Sequence, residues 1–147
     1  MTSKLSTVPS KVRYSRPHAG AGSWPNTAAV RALNTADVNA LTTDQVAALG
    51  TAQVAALSTA QVQALTTAQV AVLSTVDAQA LNSAQVAALN TAQAAALTTA
   101  DIAVLSTTNV RALSTTDVNA LGTDQVAALT TAQLAAMSTA QTAAFTT

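Results

Sequence analysis

Leucine returns every eight residues from Leu33 to Leu129 without one insertion or deletion. Met137 and Phe145 continue the series, and Pro25 stands at its head. Numbered from the leucine, the octad is apolar at positions 1 and 6, the latter Val in most copies. Position 8 is Ala except at Val72 and Val104, and Ala is common at positions 4 and 7. Positions 2, 3 and 5 are polar in nearly every copy. A fixed short period announces a solenoid or array. One continuous helix is a poor solution, because eight residues turn it through about 800° and successive leucines drift by about 80°. Strands ask for alternation with period two, which this octad lacks. Thr and Val do suit strands, so a β-solenoid stands as the alternative. The expected fold is all-α: a solenoid of short N-capped helices, one per octad.

Position 2 carries the start signal. It holds only Asn, Ser, Thr and Gly, the preferred N-cap residues. Position 5, three residues on, is mostly Gln, which is the capping-box spacing. Position 1 then precedes the cap and position 6 lies at the fourth helical residue, so Leu57 over Val62 makes a hydrophobic staple. The charges agree with this frame. All six acids are Asp at position 4 (Asp44, Asp124) or position 5 (Asp37, Asp77, Asp101, Asp117), where a helix N-terminus favours an anion. Arg31 and Arg111 sit at position 7, near the favoured C-terminal end. Position 3, Thr in every copy but Ser83, reads either as a hydroxyl bonding the preceding corner or as an exposed threonine row. A single octad type argues for a screw-symmetric superhelix that advances one short helix per step. Its stability would come from octad–octad interfaces.

Residues 1–24 read as a separate, irregular tail, broken by Pro9, Pro17, Gly20 and Gly22. The repeat domain is expected over residues 25–147. The formal net charge of zero conceals a split. The tail holds Lys4, Lys11, Arg13 and Arg16 and no acid, whereas the array holds six Asp and two Arg. Val30–Leu33 recurs as Val110–Leu113, ten octads on, which reads as duplication or as a whole number of superhelical turns.

Little chemistry is on offer. There is no Cys, and the single histidine, His18, lies in the tail. The ionisable groups of the array cannot supply a base, a nucleophile and an orienting group together. No catalytic residue, cofactor or metal is therefore expected. Nucleic acid needs a basic stripe, and the array is net acidic. No apolar run is long enough for a membrane span. The tail lacks the apolar core of a secretory signal. A surface of Thr, Gln, Ser, Asn and Ala suits a secreted or surface structural protein, exported without a classical signal peptide.

The stretch Leu41-Thr42-Thr43-Asp44-Gln45-Val46-Ala47-Ala48 resembles a class of bacterial tandem Leu-Thr-Thr-x-Gln-Val-x-Ala octapeptide proteins. Those are large secreted or surface proteins with adhesin-like or haem-utilisation labels, and no haem ligand is visible here. The same start is similar to the first helix of transcription-activator-like effector repeats. That likeness spans one helix start and implies no DNA binding, because the base-reading loop is missing.

Function is expected to be non-enzymatic: a structural or adhesive protein that stacks head to tail into a filament, with itself as partner. Trp24, Pro25 and Phe145 are the candidate end contacts, and Lys4, Lys11, Arg13 and Arg16 would lie on the acidic array of a neighbour. The alternatives are a monomeric scaffold holding a peptide or protein partner, and ice binding through the position-3 threonines.

Overall fold

The computed structural model describes residues 26–145. Among them are fifteen α-helices of five or six residues, one per octad, from α1 (Thr27–Ala32) to α15 (Thr139–Ala144), and no strand. The all-α expectation holds and the β-solenoid alternative does not. The boundary expected at residue 24/25 lies outside the described residues.

Each helix begins where its cap dictates. Ser58 Oγ accepts the Gln61 N–H at 3.2 Å, and Gln61 Oε1 accepts the Ser58 N–H at 2.8 Å. This reciprocal box recurs along the array. At Gly50 and Gly122 the cap has no side chain, so only the glutamine half remains, at 2.6 and 2.8 Å. Each helix ends as the leucine leaves it. Leu65 adopts φ −63°, ψ 138°, its N–H donates to Val62 O at 3.2 Å, and the next cap, Thr66, is again extended. Neither glycine nor proline is needed at this corner, because burial pulls the leucine off the helical path.

Positions 1 and 6 form one continuous apolar cluster through the array. Valines at position 6 are almost fully enclosed from Val30 to Val118, and the leucines nearly so. The chain closes each turn upon the turn before. Helix α5 (Thr59–Ala64) packs on α2 (Thr35–Asn39), and α12 (Thr115–Ala120) on α9 (Thr91–Ala96). Every helix thus meets its third neighbour along the chain, and side-chain bonds between turns span 28 to 31 residues. The turn is therefore between three and four octads long. Its interior is filled by the side chains of positions 1 and 6.

The position-3 threonines do not bond the preceding corner. They point outward as the first helical residue, Thr59 and Thr99 for example being exposed. The hydroxyl that serves the backbone is the one at position 2.

Candidate functional site: the clamp between turns

Position 5 serves more than the cap. Gln61, Gln69, Gln85, Gln93, Gln125, Gln133 and Gln141 are buried. Their Oε1 atoms accept from their own N-caps. Their Nε2 groups cross to the preceding turn. Gln93 Nε2 donates to Val62 O at 2.8 Å and to Leu65 O at 2.6 Å, with Gln63 O at 3.3 Å. Gln133 repeats this on Ile102 and Leu105, and Gln141 on Val110 and Leu113. One amide thereby caps its own helix and satisfies the corner carbonyls between two helices of the previous turn. Buried carbonyls without a donor would each cost about 1–3 kcal/mol. The clamp therefore fixes the turn as well as filling space.

The capping box alone misses this second duty. The signal that reveals it is the choice of amide. An N-cap needs only an acceptor, and Glu would also suit the helix dipole. The chain has no Glu at all. A persistent glutamine says that the –NH₂ is in use.

Where the residue is shorter, the two duties separate. Asn109 leaves the cap N–H and donates instead to Leu81 O at 2.6 Å. Asp77, Asp101 and Asp117 do the reverse. Their Oδ2 atoms take the cap N–H and the cap hydroxyl, for Asp101 at 2.9 and 2.7 Å from Thr98. They donate nothing to the preceding turn: Val46, Val70 and Val86 O keep only their backbone donors, and the Leu49, Leu73 and Leu89 carbonyls receive no hydrogen bond among the described residues.

This register gives the array a polarity. Position 5 reaches back one turn, and position 6 is covered by the turn that follows. In the first described turn Asp37, Gln45 and Gln53 are only half-buried, and neither glutamine donates to a corner carbonyl among the described residues. In the last described turn Val126 is half-buried and Leu134 is 41 % exposed, although position-6 residues up to Val118 are enclosed. There the carbonyls of Leu121, Leu129 and Met137 accept no clamp among the described residues. An apolar cleft of about 360 Å³ opens between Val118, Leu121, Val126, Ala144 and Phe145.

Phe145, expected at an end contact, lines that cleft and is half-buried. The other expected contact residues, Trp24, Pro25, Lys4, Lys11, Arg13 and Arg16, lie outside the described residues. Asp44 and Asp124 are exposed, and Arg31 and Arg111 sit in the last turns of their helices. Among the described residues no three His, Cys, Asp or Glu side chains converge as a metal cluster.

The ALTTAQ repeat family pattern matches residues 26–51, 47–75 and 94–131, together more than half of the chain. The chain belongs to the ALTTAQ repeat family. No curated protein and no solved structure matches it. In the ALTTAQ octad the family's central Thr-Thr is the N-cap and the first helical residue, and its Gln is the clamp. The match in tandem agrees with the one-helix-per-octad array. No described helix of this ALTTAQ array is long and apolar enough to cross a membrane.

Proposed function

We propose that this ALTTAQ array is a non-enzymatic structural protein that associates head to tail into filaments outside the cell or on its surface. The complementarity of its two turn faces supports this reading. One face offers the Gln45 and Gln53 amides, which bond no corner carbonyl among the described residues; the other offers the carbonyls of Leu121 and Leu129, which accept no clamp among the described residues, beside exposed Leu134 and the Phe145 cleft. A head-to-tail contact of this kind does not close on itself unless its rotation completes a ring, so it propagates. The few charges of the array, six Asp and two Arg, present little repulsion to such stacking. The same sparsely charged surface supports a surface or extracellular setting over a crowded cytosol.

Electron microscopy with sedimentation over a concentration series tests the proposal. The expected result is rods that lengthen with concentration. A Gln45→Glu/Gln53→Glu variant would keep both caps but set carboxylates against carbonyls, and is expected to remain monomeric with unchanged helicity. A wild-type chain that stays monomeric throughout overturns the filament reading. A saturable protein partner found without assembly would establish the scaffold alternative, and thermal hysteresis the ice-binding one.

A further inference from the structure

The seven clamping glutamines outline a cage. Six of them place Nε2 within 2.6–3.5 Å of three carbonyl oxygens from one corner of the preceding turn. At Asp101 that nitrogen is missing. The octad register sets Val70, Ala71 and Leu73 in the cage positions for this residue, 31, 30 and 28 residues back. Leu73 O receives no hydrogen bond among the described residues. Asp101 is 1 % exposed, its Oδ2 is held by Thr98, and its Oδ1 is buried without any partner. The side chain is one methylene shorter than glutamine, and Asn109 shows that this length cannot reach a corner while keeping its cap. Two buried acceptors thus lack a donor at this interface, Asp101 Oδ1 and Leu73 O, while Val70 O keeps only backbone donors, among them the Leu73 N–H at 3.1 Å. Oxygens facing oxygens in a buried place call for a positive charge between them.

We propose that Asp101 Oδ1 and the carbonyls of Val70, Ala71 and Leu73 bind a monovalent alkali cation, bridging the two turns in place of the missing amide. Rings of backbone carbonyls replace the hydration shell of such ions elsewhere. One carboxylate balances one positive charge. A divalent ion such as calcium would leave a second positive charge uncompensated in a buried place. Asp77, with the register corner at Val46 and Leu49, and Asp117, with that at Val86 and Leu89, share the burial and the cap bonds, but the fully buried oxygen without a partner is that of Asp101.

The test uses the full chain at constant ionic strength in potassium, sodium or tetramethylammonium chloride. Wild type is compared with Asp77→Gln/Asp101→Gln/Asp117→Gln, in which the octad's own residue restores three clamps. The wild-type thermal midpoint is expected to rise on the order of 5 °C in potassium or sodium over tetramethylammonium. The variant is expected to show one midpoint in all three salts. Sodium-23 line broadening should accompany wild type alone and be displaced by potassium. A wild type indifferent to the cation overturns the proposal, since the gaps then hold water. A variant with an undiminished cation response also overturns it, as does a wild-type shift produced by micromolar calcium. The sodium-23 measurement on wild type decides the matter even if the variant fails to fold.

Discussion

At the scale of single residues, position 5 decides more than any other, and chemically similar choices there have opposite consequences. Gln93→Glu keeps the cap acceptor but turns the amide that holds Val62 and Leu65 into a buried carboxylate without their donor. The expected loss is about 3–5 kcal/mol, read from urea unfolding. Gln45→Glu makes the same exchange where no corner carbonyl is bound among the described residues, so stability should change by less than about 0.5 kcal/mol in the monomer. Equal losses at the two positions would refute the clamp. The glycine caps give the opposite sign. Gly122 sits at φ −71°, ψ 162°, and a Cβ there meets nothing nearer than Gln125 Oε1 at 3.7 Å. Gly122→Ser supplies the missing cap oxygen and restrains the unfolded chain, so a gain of about 0.5–1 kcal/mol is expected in the same titration. The cap half of these roles was readable from spacing alone, since Ser, Thr, Asn or Gly always stands three before the Gln. The clamp half required knowing what lies a turn away.

At the scale of the element, helices of five or six residues are far below the length at which an isolated helix persists, about 12–15 residues. Their caps specify where they start and cannot by themselves hold them. A synthetic peptide of two octads, residues 57–72, is accordingly expected to show a disordered circular dichroism spectrum, whereas the full chain is helical. A helical spectrum for the peptide would place the stability in the caps instead of the interfaces. The all-α character was legible because capping chemistry is local: it falls within one octad and repeats. The threonine at position 3 had two readings for the same reason. Thr is frequent at both positions 2 and 3, and only the observed geometry shows that the hydroxyl at position 2 bonds the backbone while its neighbour faces outward. Asn109 and Asp101 show the limit from the other side, since two residues of equal length at equivalent positions point to different partners.

For the whole molecule, the length of the turn could not be read from the sequence, and the cause is the regularity itself. The clamp joins residues 28 to 31 apart, but every octad offers the same leucine, valine and glutamine, so contacts two, three or four octads away look alike on paper. Backbone dihedrals at the two-residue corner choose among them. This degeneracy makes a prediction about insertions. One whole octad placed between Ala64 and Leu65 gives each glutamine that clamps across it a new but equivalent corner, and each cap stays next to its own helix. The chain should fold with one more short helix and a thermal midpoint no lower than before. Four residues inserted at the same point lengthen a corner that consists only of Leu65 and the cap Thr66. The clamps that cross the insertion, Gln69, Gln85 and Gln93, must then either lose their carbonyls or expel the extra residues as a loop. A fall of several degrees in the midpoint is expected for the half-octad alone, with faster amide exchange confined to the turns beside it. If both insertions are tolerated equally, the turns are held by apolar contact and the glutamines are incidental. If both are disruptive, neighbouring turns carry pairwise differences that the uniform octad hides.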